Sequence, residues 1–182
     1  MISTRTFASC LVLLLLLAGC SPKIAVTAEP ATNFNLSDYH TFAFYDVQAS
    51  GSGLEPNYRS KVVLLQEEIA RQLQAKGLQQ ATNNPDLLVN IGVVVNQQVQ
   101  TRETDFRTDA PLYIGQRHYT WKSEEVPVGR YKTGTVSIDL VDSNQNELVW
   151  RGTAEGILPH KESKLRERIQ EGMQQLIGQL PQ

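Results

Sequence analysis

Two segments of alternating polar and apolar residues, joined by a short polar turn, constrain this chain more than any other feature. They cover residues 134–142 and 147–158, with Ser-Asn-Gln-Asn between them at 143–146. Alternation places successive side chains on opposite faces of a strand, so the pattern predicts an antiparallel hairpin. A slip of one residue would turn every side chain to the wrong face, and a register that buries both apolar sets places Leu140 opposite Trp150.

This register assigns structural roles to residues of the hairpin. It places Val141 opposite Val149, and Asp139 opposite Arg151 as an exposed ion pair. The predicted buried face comprises Val136, Ile138, Leu140, Leu148, Trp150, Gly152 and Ala154. Gly152 is expected to let a helix pack closely, and Asp142 to hold the turn through its side chain. The structural signature of the hairpin is therefore predicted to be Asp139, Asp142, Trp150, Arg151 and Gly152.

Two amphipathic helices are predicted from apolar residues that recur at three- and four-residue spacing. The first is expected to be capped by Asn57 or Ser60 and to end at Lys76-Gly77. Its apolar face comprises Val62, Leu65, Ile69 and Leu73. The second is expected to be capped by Ser163, and its apolar face comprises Leu165, Ile169, Met173, Leu176 and Leu180.

The remaining elements complete the prediction of the fold. Short β-branched or alternating runs predict three further strands, at 24–27, 41–47 and 86–95. Residues 49–53 are expected to form a flexible loop, and the polar stretch 97–122 to be irregular, with an extra strand or two around Tyr119 and Trp121. This order predicts an α+β fold: a mainly antiparallel sheet with two helices packed on one face, a two-layer sandwich.

The first twenty residues have the layout of a bacterial lipoprotein signal. Arg5 precedes an apolar run over 7–18, which is shorter than the roughly 20 residues that a membrane-spanning helix needs. The run ends in Leu17-Ala18-Gly19-Cys20, an aliphatic residue and two small residues before Cys. This lipobox predicts cleavage between Gly19 and Cys20 and attachment of lipid to the Cys20 thiol.

The lipobox also predicts how the chain divides into segments and where in the cell the protein is located. Residues 1–19 are the expected signal peptide, 20–37 the lipidated N-terminus with a short first strand, and 38–182 a single α+β domain. Membrane lipid, through acylated Cys20, is the predicted partner, and several acyl chains make such anchoring effectively permanent. Ser21, where an Asp would favour the inner membrane, favours the outer membrane facing the periplasm.

Cysteine usage excludes several kinds of chemistry. The chain has two cysteines, and Cys10 would leave with the signal peptide. The mature chain would then carry no free thiol, which excludes a disulfide, a Cys nucleophile and a Cys-ligated metal.

Five short motifs follow the lipobox in order. They are Tyr39-His40-Thr41-Phe42-Ala43-Phe44, Lys76-Gly77-Leu78, Pro85-Asp86-Leu87-Leu88-Val89, Tyr131-Lys132-Thr133-Gly134-Thr135-Val136-Ser137-Ile138-Asp139-Leu140-Val141-Asp142 and Leu148-Val149-Trp150-Arg151-Gly152. Together they resemble DUF4136, a family of bacterial lipoproteins known as a domain of unknown function, over nearly the whole mature chain. Members often carry a Gly/Tyr/Trp-rich middle stretch, whereas residues 97–125 here are polar. The resemblance implies a fold and a cellular address, but no activity.

Charge and histidine spacing give no sign of nucleic acid, metal or cofactor. The formal net charge is −2 with both signs interspersed, which argues against nucleic acid as a partner. A basic cluster over 161–168 shares its segment with glutamates, as a solvated helix face does. His40, His118 and His160 lack the short spacing of zinc ligands, and no cofactor is expected.

Motifs for catalysis are weak. Residues 129–135 imitate half of a phosphate-binding loop, but the Lys-Ser/Thr is missing and a strand is predicted to follow. Asp139 and Asp142 could form an acid/base pair, although a turn and an ion pair explain them better. Four aromatic residues are candidates for a recognition surface, although strand packing explains them more easily: Tyr113, Tyr119, Trp121 and Tyr131.

Three functions follow from these observations. The favoured one is a non-catalytic interaction or structural module of the cell envelope, anchored through Cys20 and docked on an envelope protein. The first alternative is a binding module for a small molecule, lipid or glycan, with residues 97–129 as the mouth of an apolar pocket. The second alternative is a hydrolase in which Asp139 and Asp142 act together.

Overall fold

The computed structural model describes residues 23–109 and 122–181. The strands are Ala25–Pro30 (β1), Thr41–Ser50 (β2), Gln79–Gln80 (β3), Leu87–Glu103 (β4), Glu125–Asp142 (β5) and Glu147–Leu158 (β6). The helices of these two ranges are Tyr58–Ala75 (α1), Phe106–Asp109 (α2) and Glu162–Ile177 (α3), and Leu36–Asp38 forms a 3-10 turn. The predicted α+β class is confirmed.

The six strands form one mixed sheet in the order β1-β6-β5-β4-β2-β3. Strands β1, β6, β5 and β4 are antiparallel neighbours, as expected. The prediction of a mainly antiparallel sheet needs correction at β2, which runs parallel to both β4 and β3. Helix α1 lies between β2 and β4 in the chain, and a helical crossover of this kind returns the chain in the same direction.

Helix α1 ends as the sequence predicts. Gly77 has a φ of +100°, a conformation that glycine adopts without steric cost. Its N–H donates to the Gln74 carbonyl at 2.9 Å, and the Leu78 N–H donates to the Leu73 carbonyl at 3.2 Å. These two bonds form a Schellman motif, which satisfies carbonyls that the helix leaves unpaired.

Helix α3 begins two residues earlier than predicted. Its N-cap is Lys161, so Ser163 lies within the first turn and the predicted Ser163 cap is wrong. The predicted apolar stripe is present, because Leu165, Met173 and Leu176 are buried. Leu180, just beyond the helix, is buried with them.

The β5–β6 hairpin has the predicted pairs Leu140–Trp150 and Asp139–Arg151. The prediction that Val141 lies opposite Val149 is wrong, because Val141 pairs with Leu148. A bulge between Leu140 and Val141 leaves Val149 as an extra residue on β6. Leu148, predicted to be buried, is consequently 44% exposed.

One continuous core joins the sheet to the two long helices. Its largest fully buried side chains include Trp150 and Phe42 from the sheet, Ile69 from α1 and Ile177 from α3. Helices α1 and α3 contact each other, and α3 also contacts β6 and β1. Among the residues described, no helix is long and apolar enough to cross a membrane.

Parts of the two segments expected to be a loop or irregular extend the sheet instead, whereas residues 51–53 form a turn. Ala49 and Ser50 belong to β2, and the Gly53 N–H donates to the Val95 carbonyl at 2.8 Å. Strand β4 continues to Glu103, because polar residues pair there with β5. The strands suggested around Tyr119 and Trp121 lie outside the described residues.

Candidate functional site

Strands β4 and β5 run on beyond the rest of the sheet as a two-stranded ribbon. β2 pairs with β4 only as far as Val94, and β6 pairs with β5 only as far as Lys132. Residues 98–103 and 125–131 therefore pair with each other alone among the described strands. We call them the β-arm. At ~3.4 Å per residue its six-residue strand spans about 20 Å.

The β-arm exposes apolar side chains and backbone edges. Val99 is 55% exposed and Val128 is 49% exposed. At its outer end Arg102 Nη1 donates to Asp109 Oδ2 at 2.7 Å, and the Thr104 N–H donates to the Glu124 carbonyl at 2.8 Å. An isolated two-stranded ribbon is at best marginally stable in water, so such an arm gains most from a partner.

The β-arm and the start of β1 lie at the same end of the sheet. Across four strands the register places Ala25 beside Glu155, Glu155 beside Thr135 and Thr135 beside Val94. The β-arm begins four residues beyond Val94 on β4. The β-arm therefore projects from the end of the sheet at which the chain enters β1.

A cleft of about 380 Å³ lies between the two long helices and this end of the sheet. We call it the helix–sheet cleft. Val93, Val95 and Val136 line it from the sheet, and Leu65 and Leu165 line it from α1 and α3. None of the described residues 97–109 and 122–129 lines this cleft, so it is a different site from the pocket predicted under residues 97–129.

Three charged groups lie together beside the helix–sheet cleft. Lys61 Nζ and Lys132 Nζ each lie 2.6 Å from a different carboxylate oxygen of Glu55. Hydrogen bonds from Lys132 and then from Lys61 lower the pKa of Glu55 to about 2. Glu55 therefore stays ionised at neutral pH, and it neutralises one of the two ammonium charges.

Asp142 is a buried turn residue. Its Oδ1 accepts hydrogen bonds from the N–H groups of Asn144 and Gln145, at 2.8 and 2.9 Å. Its Oδ2 accepts one from the Tyr39 hydroxyl at 3.0 Å. The bond from Gln145 is the main cause that lowers the pKa of Asp142. Burial, followed by the bond to Asp142, raises the pKa of Tyr39 to about 12.

The structure does not bring Asp139 and Asp142 together as an acid/base pair. Asp139 accepts a bidentate ion pair from Arg151, with distances of 2.7 and 2.6 Å, at the surface. Asp142 is buried beside Tyr39. Residues three apart on a strand point to opposite faces. A hydrolytic site built on the two carboxylates therefore lacks its geometry.

Trp150 and Gly152 lie at the contact between β6 and α3. Trp150 is 0% exposed. A Cβ added at Gly152 would lie 2.1 Å from Cη2 of Trp150 and 2.8 Å from Cδ1 of Leu176. The absence of a side chain at Gly152 therefore lets Trp150 and the helix meet.

Other predicted candidates are either dispersed or beyond the described residues. Cys20, Gly19, His118, Tyr113, Tyr119 and Trp121 lie outside them, so lipidation of Cys20 stays a prediction. Residues 129–135 lie within β5, which a phosphate-binding loop would not. Within 23–109 and 122–181, no group of three His, Cys, Asp or Glu side chains could hold a metal ion. The β-arm and the helix–sheet cleft were not predicted, because polar strand residues and helix–sheet gaps leave no periodic signal.

Comparison with known proteins gives one sequence family. The family model described as "Domain of unknown function (DUF4136)" matches residues 26–182. No curated protein sequence matches the chain.

Several solved structures share the fold at low sequence identity. A PDZ domain protein from Parabacteroides distasonis is 18% identical with a TM-score of 0.54, and the match covers 99% of this chain but only 41% of that one. A DUF4136 family protein from Bacteroides thetaiotaomicron is 15% identical with a TM-score of 0.51, covering 86% and 95%. A PelC dodecamer from Paraburkholderia phytofirmans is 13% identical with a TM-score of 0.50, covering 87% and 97%.

Proposed function

We propose that this chain, which belongs to DUF4136, a family of domains of unknown function, is a lipid-anchored module of the bacterial outer membrane. It would bind an envelope protein and catalyse no reaction. The sheet with α1 and α3 on one face would act as a rigid two-layer platform. The β-arm would be the surface that the partner binds.

The β-arm is the observation that carries this proposal. Its two strands have no further strand beside them among the described residues, and they expose Val99 and Val128. A partner strand added to either edge would pair with the free backbone groups, and the exposed valines would supply apolar contact. The polar residues around them suit an interface that is reversibly exposed to water.

The position of the β-arm supports the anchored part of the proposal. Ile24 is buried, and Cys20 precedes it by four residues. Four residues of extended chain reach at most ~14 Å. Lipid on Cys20 would thus hold this end of the sheet at the membrane surface, and the β-arm would meet partners at or near the bilayer.

Two kinds of partner fit such an arm. One is a different envelope protein, and the other is a second copy of this chain. The PelC structure is described as a dodecamer, and its shared fold makes self-assembly the second candidate. Crosslinking distinguishes the two by the mass of the product.

The test is crosslinking in living cells with the full-length lipoprotein. We expect wild type to form a defined crosslinked product and Val99→Lys to reduce its yield at least tenfold, because a charge would enter the apolar contact. The matched control is Val63→Lys on α1, where the valine is 50% exposed, and this variant should keep the product. Absence of any product in wild type, or equal loss in both variants, would contradict the proposal.

A binding module for an apolar molecule is the second candidate function. The helix–sheet cleft favours it, because its volume of about 380 Å³ falls in the ~300–1,000 Å³ range of ligand pockets. Thermal melting with and without medium-chain acyl compounds tests it, since a ligand that binds the folded state raises the melting temperature.

A further inference from the structure

The helix–sheet cleft has no part in the proposed interaction through the β-arm, but its walls favour one kind of ligand. The side chains contributed by the sheet and helices are mainly aliphatic: Val93, Val95, Val136, Leu65, Leu165 and Met173. Aliphatic walls favour an occupant that gains by leaving water and needs few hydrogen bonds. A hydrocarbon chain is such an occupant.

The charged groups at the cleft favour a hydrocarbon chain without a charged end. Lys61 and Lys132 both bond to Glu55, so each carboxylate oxygen of Glu55 already has an ammonium partner. A free fatty acid would bring a carboxylate that competes with Glu55 for the ammonium groups. An acyl chain held in an ester or an amide brings no charge, and therefore fits the cleft without breaking these bonds.

Ile24 connects the cleft to the N-terminal end of the chain. Its side chain lines the cleft, and its Cδ1 would lie 3.6 Å from a Cβ added at Gly172 of α3. Cys20 lies four residues earlier, at most ~14 Å away along the chain. Acyl chains attached to Cys20 would therefore start within reach of the cleft.

We propose that one of the acyl chains carried by Cys20 occupies the helix–sheet cleft of its own molecule. This inference rests on the proposed lipidation of Cys20. A short tether gives an effective concentration of the order of mM, so the attached chain has an advantage over lipid that must be recruited. The remaining acyl chains of the same residue stay in the bilayer and keep the protein anchored.

Photo-crosslinking in the membrane-bound, full-length lipoprotein tests the proposal. A benzophenone amino acid replaces Tyr58, which lines the cleft from α1. The control places it at Tyr45, a tyrosine on β2 that is 74% exposed. After irradiation and digestion, mass spectrometry identifies what each probe has captured. We expect the Tyr58 probe to capture the lipidated N-terminal peptide at least ten times more often than the Tyr45 probe.

A second pair of variants blocks the cleft. Val95→Trp would fill it from β4, whereas Val94→Trp lies on the opposite face of the same strand. We expect Val95→Trp to remove the crosslink from the Tyr58 probe and Val94→Trp to retain it, with melting temperatures confirming that both are folded. The comparison of Tyr58 with Tyr45 decides the question even if Val95→Trp does not fold.

Three results would overturn the inference, and they separate it from the proposed function. Capture of phospholipid or free fatty acid at Tyr58 would assign the cleft to exchangeable lipid. A lipidated N-terminal peptide without a crosslink to Tyr58 would refute the cleft occupant alone. An unlipidated Cys20 peptide would refute both the anchor and the occupant.

Discussion

The Tyr39 hydroxyl donates a hydrogen bond to Oδ2 of Asp142 at 3.0 Å, across 103 residues of chain. This bond joins the segment before β2 to the turn between β5 and β6. The same carboxylate accepts two backbone N–H groups of the turn. One buried side chain thus holds both the turn and a distant part of the fold.

Removal of the Tyr39 hydroxyl is expected to destabilise the protein. Tyr39→Phe should lower the free energy of unfolding by ~0.5–1.5 kcal/mol, because one part-buried hydrogen bond is lost. Asp142→Ala should cost more, since three donors lose their acceptor. Urea unfolding measures both changes. Tyr45→Phe, at a tyrosine that is 74% exposed, serves as control and should change the unfolding free energy by no more than ~0.5 kcal/mol.

Asp142 is also expected to make stability depend on acid pH. Its hydrogen bonds, that from Gln145 above all, lower its pKa in the folded state. The unfolded chain therefore binds more protons near pH 4, and acid favours unfolding. The stabilisation should be complete above about pH 5 and fall as the pH drops below the unfolded carboxyl pKa of about 3.9. Urea midpoints between pH 7 and pH 3 should show this fall, and it should be shallower in Asp142→Asn; identical slopes would contradict the assignment.

The close contact at Gly152 predicts a position that does not tolerate a methyl group. In Gly152→Ala the new Cβ would overlap Trp150 and Leu176, and overpacking of this kind costs ~1–3 kcal/mol. Gly92→Ala is the matched control, because the nearest atom to its added Cβ is the Ser137 Cβ at 3.6 Å. Thermal unfolding should separate the two variants clearly. A Gly152→Ala protein as stable as Gly92→Ala would show that the packing at this contact is looser than described.

The ion pair between Asp139 and Arg151 is expected to contribute little. Both side chains are partly exposed, at 25% and 49%, and exposed pairs typically contribute ~0–1 kcal/mol. A double-mutant cycle with Asp139→Ala and Arg151→Ala should give a coupling energy within that range. A coupling above ~2 kcal/mol would assign the pair a larger structural role than its exposure allows.

The β5–β6 hairpin shows how much of a strand register can be predicted from the pattern of residues alone. Alternation over two segments predicted the pairs Leu140–Trp150 and Asp139–Arg151, because burial leaves little freedom of register. The bulge at Val149 could not be predicted in this way. One extra residue shifts everything beyond it by a single position, and only Leu148 and Glu147 follow before the turn. Too few residues remain to reveal the shift.

Two other differences have distinct physical causes. The sequence contains the strand–helix–strand order of β2, α1 and β4, but the apolar pattern of a strand does not give its direction relative to its neighbours. The parallel pair β2–β4 is the result of that crossover. The β-arm was not predicted, because neither of its faces is buried. Its strands therefore need no alternation of polar and apolar residues.

The pairing of β1 with β6 also determines when β1 can fold. Among the described strands, β1 comes first in the chain, whereas β6, the one strand that pairs with it, comes last. Until synthesis or export has delivered β6, the segment that follows Cys20 has no strand to join. In the exported precursor that we propose, the cleavage site between Gly19 and Cys20 would thus stay accessible to the processing enzymes until β1 joins β6.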